Sequence, residues 1–309
     1  MRVVVTGANG FVGRPICLRL ALDGHEVVAL TRREPGFEVL GTHQVTFAGG
    51  LDNALRGADA LVHVAAKTEL ASEAEAVRVN VELTSSIAEA AIRARLKRFI
   101  FVSSIKVNGE QTQGTPFTAA MPPAPLDTYG RSKARAELVL RSRAENKLEV
   151  VVLRPPVMYG PGMKGNLARL FAIADHRIPM PFGGIRNCRD ILFVNTFATL
   201  ISQVVSHPAA AGRTFLVRDG KGISTPELFR AIARSLGRTP RLVPVPKVML
   251  SLVGALSGRS AEIQRLTGDL EINDKETRDV LQWSPTANIE DNLRETAAWW
   301  KHRRTPGLT

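Results

Sequence analysis

The sequence predicts an α/β fold, a doubly wound parallel sheet followed by a smaller, mostly helical lobe. Three observations predict it. Short β-branched runs alternate with longer helical patterns through the first half, a glycine-rich turn follows the first run, and the rhythm breaks after residue 154. Alternation of this kind implies parallel strands joined by right-handed helical crossovers. With 309 residues, 44% of them hydrophobic, the chain can fill the core of the sheet and of a second lobe.

In chain order the expected strands are residues 2–6, 26–31, 44–47, 60–64, 98–103 and 149–154. Helical patterns lie between them at 11–24, 72–95 and 131–146. The run Phe99-Ile-Phe-Val102 is apolar throughout, as a strand covered on both faces requires. Prolines and glycines at 155–161 and 178–184 read as loops. A helix at 197–206 and a strand at 214–217 then complete the sheet. From residue 224 the pattern is mostly helical, with turn signals at Gly237, Pro240, Pro244 and Pro246. The domain expectation is a dinucleotide-binding unit of residues 1–165 plus about 188–218, and a substrate lobe of 166–187 and 219–309.

Composition excludes several classes. No apolar run approaches the roughly 18–20 residues of a membrane span, and the N-terminus has no signal-peptide layout, so a cytoplasmic location is expected. Cys17 and Cys188 have no metal-ligand spacing and suit a reducing compartment; no metal is expected. The net charge is +12, yet the basic residues are scattered and no helix-turn-helix, zinc or aromatic RNA-binding pattern occurs, which argues against nucleic acid. The one dense run, Lys301-His-Arg-Arg304 beside Trp299-Trp300, reads as a solvated helix end or a membrane-surface contact.

The turn Val5-Thr-Gly7-Ala-Asn-Gly10-Phe-Val-Gly13 joins the first strand to the first helix. Glycines there permit a tight turn and close approach of backbone to a pyrophosphate, which meets the N–H groups and positive dipole end of the helix. The G-x-x-G-x-x-G spacing is one residue wider at its start than the usual dinucleotide fingerprint. After the second strand come Thr31-Arg32-Arg33, with no carboxylate before Glu34. An arginine at this place tolerates the 2′-phosphate of NADP(H), whereas a carboxylate would select NAD(H). NADP(H) is therefore favoured, with an exposed basic turn beside an NAD(H) site as the alternative.

Tyr129 opens Tyr129-Gly-Arg-Ser-Lys133, so Lys133 lies one helical turn on, along the same face. A phenol titrates near 10 and is a poor base at neutral pH; a neighbouring ammonium should lower that value. Ser104 follows the apolar strand at its carboxyl edge, where a hydroxyl can bond a reacting oxygen.

These residues resemble the extended short-chain dehydrogenases/reductases of the NAD(P)-dependent nucleotide-sugar epimerase/dehydratase family, nearly end to end. The resemblance rests on Thr6-Gly-Ala-Asn-Gly-Phe-Val-Gly13, Asp59-Ala-Leu-Val-His-Val-Ala-Ala66, Val79-Asn80-Val81, Phe101-Val-Ser-Ser104, Tyr129-Gly-Arg-Ser-Lys133 and Leu153-Arg-Pro-Pro-Val-Met-Tyr-Gly-Pro161. It implies a Rossmann-type fold and a catalytic set of Ser104, Tyr129 and Lys133. It implies a cofactor site of Gly7, Asn9, Gly10, Phe11, Val12, Gly13, Arg32, Ala65, Ala66, Lys67, Asn80, Ser103, Tyr129, Lys133, Pro155 and Val157. On the substrate side it implies Lys67, Ser104, Lys106, Asn108, Asn166, Pro181, Phe182, Arg189 and either Arg259 or Arg265. An arginine fork suits the diphosphate of a UDP-sugar. A homodimer through the helices at 72–95 and 131–146 is also implied.

Two departures stand out. Ala48-Gly49-Gly50 replaces the family's Gly-Asp pair before the adenine-contacting loop, and Asn108 replaces a tyrosine. Within the family the closest likeness is to 4-ketoreductases of UDP-N-acetylhexosamine metabolism, which serve surface-polysaccharide biosynthesis. The implied reaction is hydride transfer to C4 of a UDP-4-keto-6-deoxy-N-acetylhexosamine. A UDP-hexose 4-epimerase with tightly bound NAD is the alternative, and a dinucleotide-sensing regulator or scaffold the non-enzymatic one. A 4,6-dehydratase is disfavoured because Ile105-Lys106, and not an Asp-Glu pair, follows Ser104.

Overall fold

The computed structural model describes residues 1–32, 42–47, 50–258, 260–285 and 288–303. Its first half runs β1 (Arg2–Thr6), α1 (Gly13–Leu22), β2 (Glu26–Thr31), β3 (Thr42–Thr46), α2 (Leu51–Leu55) and β4 (Ala60–His63). Then follow α3 (Glu73–Ala76), a π-helical turn at Val77–Glu82, α4 (Leu83–Arg93), β5 (Arg98–Val102), α5 (Thr128–Ala144) and β6 (Glu149–Arg154). The second half contains β7 (Val157–Tyr159), α6 (Gly165–Asp175), β8 (Ile191–Phe193), α7 (Val194–Ser206) and β9 (Thr214–Leu216). Helices α8 (Thr225–Ser235), α9 (Lys247–Leu256), α10 (Ser260–Thr267), α11 (Lys275–Leu281) and α12 (Ile289–His302) complete it.

Seven strands form one parallel sheet in the order β3-β2-β1-β4-β5-β6-β9. Strand order reverses between β1 and β4, and in open sheets of this Rossmann type ligands gather at that switch, beyond the carboxyl ends. Alternate residues of β1 point to opposite faces: Val3 and Val5 pack with α1 and α7, Val4 with the layer of α2, α4 and α5. Burial on both faces explains why these strands are apolar without alternation.

The segment at 155–161 differs from its loop expectation. Val157–Tyr159 pairs in parallel with Ile191–Phe193, making a separate two-stranded sheet. The Tyr159 and Phe193 rings pack tilted with centroids 5.4 Å apart, and an apolar cluster with α6, α8 and α12 closes around them. The small sheet therefore anchors the helical lobe. Buried Asp219 reinforces it, accepting from the Tyr159 hydroxyl at 3.2 Å and the Phe193 amide at 2.7 Å. Burial pushes this carboxyl up to about 6. Asn187 ties the loop before β8 to α8, bonding Thr225 through both its amide oxygen and its amide nitrogen.

Candidate active site

The phosphate-binding turn has the geometry its glycines imply. Gly7 has φ +70°, and a Cβ on it would meet the Ala65 amide nitrogen at 2.8 Å. A Cβ on Gly13 would run into the Gly7 carbonyl and lie 2.8 Å from the Ala8 Cα. Helix α1 starts at Val12 with no side-chain cap and no acidic residue in its first turn, so its positive end is uncompensated. Asn9 Oδ1 is buried with no hydrogen-bond partner among the described residues. An uncapped helix end, a close-packed glycine turn and an unsatisfied amide oxygen fit a dinucleotide with its pyrophosphate over residues 7–13. We expect Gly13→Ala to cost about 1–3 kcal/mol and to weaken dinucleotide binding at least about tenfold, read by urea unfolding and fluorescence titration.

The remaining cofactor residues expected from sequence follow the carboxyl ends of β2, β4, β5 and β6 or lie on the helices after them. Arg32 is exposed directly after β2; its neighbour Arg33 lies outside the described residues, as do Ala48 and Gly49. Phe11 and Val12 are half-buried at the helix start, and Ala65 sits against Gly7. Ala66 and Lys67 are exposed; the Lys67 ammonium bonds Glu75 at 2.5 Å. Pro155 is buried and its carbonyl accepts from the Ile105 amide at 2.9 Å, while Val157 is exposed.

Asn80 is a clamp. It sits in the π turn, where its side chain accepts from the Lys67 amide at 2.9 Å and donates to the Lys67 carbonyl at 3.1 Å. It also donates to Ser132 Oγ at 2.9 Å, and Ser132 donates to the Tyr129 carbonyl at 2.8 Å. The segment after β4 is thereby tied to the start of α5. Next to it lies His63 of the Asp59–Ala66 motif, to which the sequence assigned no role of its own. Thr84 Oγ1 donates to the Asn80 carbonyl at 2.6 Å, so toward His63 Nε2, 3.1 Å away, it can only accept. Nε2 therefore carries the proton, and Nδ1 accepts from Thr6 Oγ1 at 2.7 Å. Burial, with Lys133 nearby, holds the ring neutral down to about pH 3.

The catalytic candidates converge at the carboxyl end of β5. Ser104 caps a short turn, its Oγ accepting from the Lys106 amide at 3.2 Å. Asp127 caps α5 by accepting from the Gly130 amide at 2.7 Å. Gly130 lies so near the loop after β5 that a Cβ on it would stand 2.8 Å from the Lys106 carbonyl. Tyr129 is half-buried at the start of α5. Lys133 is 2% exposed, donates to the Val102 carbonyl at 2.8 Å and stands 4.5 Å above the Phe101 ring and 6.0 Å from the Tyr129 ring centroid.

The electrostatics run opposite to the expectation from spacing. Burial, helped by Asp127, pushes the Tyr129 phenol above its ordinary value. Burial also lowers Lys133 to about 7, with Glu137 opposing the shift. Desolvation dominates at the phenol. Since unfolded lysine titrates near 10.4, the unfolded state binds more protons between about pH 7 and 10, and the burial penalty is complete below pH 7. We expect Lys133→Met to gain roughly 2 kcal/mol of stability below pH 7, a gain that shrinks as pH rises toward about 10. Urea unfolding at several pH values measures it.

Other nominated residues have structural partners. Ser103 Oγ donates to Glu137 at 2.5 Å, and Glu137 holds Arg154 in a two-pronged pair at 3.0 and 2.6 Å. Asn108 is buried, accepting from Arg154 at 2.9 Å and donating to the Thr118 carbonyl at 2.9 Å, so its amide is committed to the frame under the site. Lys106 pairs with Glu110 at 2.9 Å and with Asp127. Arg265 joins the same group, 3.0 Å from Glu110 and 3.5 Å from Asp127, and so links α10 to the cap of α5. Burial would raise the Asp127 carboxyl, but the bonds from Lys106 and the Gly130 amide hold it below its usual range. Arg189 donates to the Gly268 carbonyl at 2.9 Å. Asn166 is exposed in the first turn of α6. Pro181 is half-buried, and Phe182 packs with Ile185 and Leu250. Arg259 lies outside the described residues. Glu137 and Asp127 were not nominated from sequence. Glu137 stands four residues after Lys133, and Asp127 three before Gly130 at a helix start, which are signals that could have found them.

A phosphate-binding turn at the strand-order reversal and a Ser–Tyr–Lys set at the neighbouring strand end define a dinucleotide-dependent enzyme of the short-chain dehydrogenase/reductase type. The chain belongs to the NAD dependent epimerase/dehydratase family, which it matches over residues 3–217. It is 36% identical over 311 residues to a UDP-glucose 4-epimerase of Vibrio cholerae, covering 96% of this chain and 94% of that one. It is 30% identical to a ceramide reductase of Caulobacter vibrioides, over 82% of this chain and 76% of that one. Its fold superposes on a UDP-glucuronic acid 4-epimerase of Bacillus cereus solved with NAD, with a TM-score of 0.80 at 18% identity, covering 99% of this chain and all of that one.

Proposed function

We propose that this protein transfers a hydride at C4 of a UDP-linked sugar, and that its net reaction is reduction of a UDP-4-keto-6-deoxy-N-acetylhexosamine with NADPH. The observation that carries the reading is the placing of Tyr129: half-buried at the start of α5, with Lys133 Nζ 6.0 Å from its ring centroid, and held by burial above its ordinary value, so that it is protonated at neutral pH. A protonated phenol is the form that donates a proton to the oxygen a reduction leaves behind. When bound, the nicotinamide supplies the hydride. Residues 7–13 hold the pyrophosphate, and exposed Arg32 at the end of β2 suits the 2′-phosphate of NADPH, NAD(H) being the alternative. Ser104 orients the C4 oxygen, Tyr129 protonates it, and Lys133 in its protonated form places a positive charge 6.0 Å from the phenol ring centroid. Arg189 and Arg265 are the arginines this reading assigns to the substrate diphosphate.

A UDP-hexose 4-epimerase is the second reading, favoured by the 36% identity to the Vibrio cholerae protein. One assay separates the two. With a UDP-4-keto sugar, reduction consumes NADPH stoichiometrically; with UDP-hexoses and no added cofactor, catalytic interconversion would overturn it. The reading includes a cytoplasmic homodimer joined through α4 and α5, where Leu138 is 67% exposed.

A further inference from the structure

Helix α9 presents an apolar face to solvent. Val248 is 79% exposed, Met249 57%, Leu252 60%, Val253 60% and Leu256 82%. Spaced at i, i+4 and i+8, with neighbours at i+1 and i+5, they form one stripe. The opposite side faces the protein: Leu250 is buried, and Gly254 lets Ile263 of α10 approach to within 2.9 Å of where a Cβ would stand. Helix α9 is thus apolar on both sides, and among the described residues only one is covered. On the buried side, Met180 and Val245 pack with Leu250, Phe182 and Ile185.

Charge selects the occupant. Between Glu227 and Glu262 the sequence carries Arg230, Arg234, Arg238, Arg241, Lys247 and Arg259 and no carboxylate. Lys247, the first residue of α9, is exposed next to Val248, and Arg241 is exposed six residues before it. A second copy would bring the same cations face to face across a two-fold axis, which costs energy. An anionic lipid surface accepts both features, since apolar side chains enter the acyl boundary while lysine and arginine stems reach up to phosphates. Among the described residues no helix is long and apolar enough to cross a membrane, so the contact lies in the interface plane. We propose that α9, with its basic flanks, docks this protein onto the surface of an anionic bilayer. Helix α10 packs on α9 and reaches the mouth of the site through Arg265 and through the bond from Gln111 to the Gln264 carbonyl at 2.7 Å, so docking sets the site close to the lipid surface.

The test is flotation of the full chain with vesicles of phosphatidylcholine alone and of phosphatidylcholine mixed with phosphatidylglycerol. We expect flotation with the mixed vesicles, suppressed by high salt, and at least roughly tenfold less with the neutral ones. Val248→Glu/Leu252→Glu should abolish it while leaving the thermal midpoint and turnover of soluble substrate unchanged. Leu256→Ser, a milder change at the most exposed position, should weaken it and guards against misfolding of the double variant. No flotation with either vesicle, or flotation undiminished in both variants, overturns the proposal. So does sedimentation showing a dimer that the variants dissociate, which would give the face to a second copy.

Discussion

Replacing Tyr129 by phenylalanine is expected to lower kcat by roughly 10²–10⁴-fold, the usual worth of a positioned acid–base group. The ring and its packing remain, so stability should change by no more than about 1 kcal/mol. Steady-state kinetics paired with thermal unfolding shows the separation, and a variant with full turnover would remove the phenol from the chemistry. The pH profile of the unaltered protein adds a second reading. Lys133 titrates at about 7, whereas the phenol is held above its ordinary value. If the lysine charge is needed, kcat falls as pH rises through about 7, and Tyr129 alone would keep it level to beyond about 10.

Glu137→Leu is expected to destabilise the protein by about 3–5 kcal/mol. The carboxylate and Arg154 are both almost fully buried, 4% and 5% exposed, and Ser103 depends on the same carboxylate. Removing it strands a guanidinium whose other partner is the Asn108 amide. The double change Glu137→Leu/Arg154→Met removes both charges and should recover most of the loss, a coupling read by urea unfolding of all four proteins in a cycle. Equal loss in single and double variants would mean that the pair contributes packing alone. The single variant also deprives Lys133 of the carboxylate that opposes its downward shift, so its charge at neutral pH falls further.

Where the chain is regular, the sequence was legible. Strands β1, β2 and β6 begin and end at the expected residues, because each is an apolar run closed by a turn signal. The missed strands β7 and β8 have three residues each, and β7 stands between prolines. Their partner lies more than thirty residues away, which no local pattern reports. The glycine turn was legible in detail, since a Cβ clash is a property of the residue type itself. The Tyr129–Lys133 juxtaposition was legible as spacing, but its electrostatics were not. The sign of those shifts depends on how much water the fold removes, and spacing along one helix carries no information on burial. Asn108 shows the same limit: its place in the loop suggested the sugar pocket, and Arg154, 46 residues away, claims its amide oxygen.

The π turn at Val77–Glu82 has a consequence for length variation in this segment. A turn of this type accommodates one residue more than an α-helical turn. Excising that extra residue would let ordinary α-helical pitch return while α3 and α4 keep their faces, because the wide turn absorbs the insertion locally. The change would fall on the turn itself, where Asn80 bonds Lys67 and Ser132. Loss of that clamp would uncouple the loop after β4 from the tyrosine-bearing helix while both helical halves persist. An added residue in the rod thus makes a local bulge, and indels here remake one contact without turning the helix.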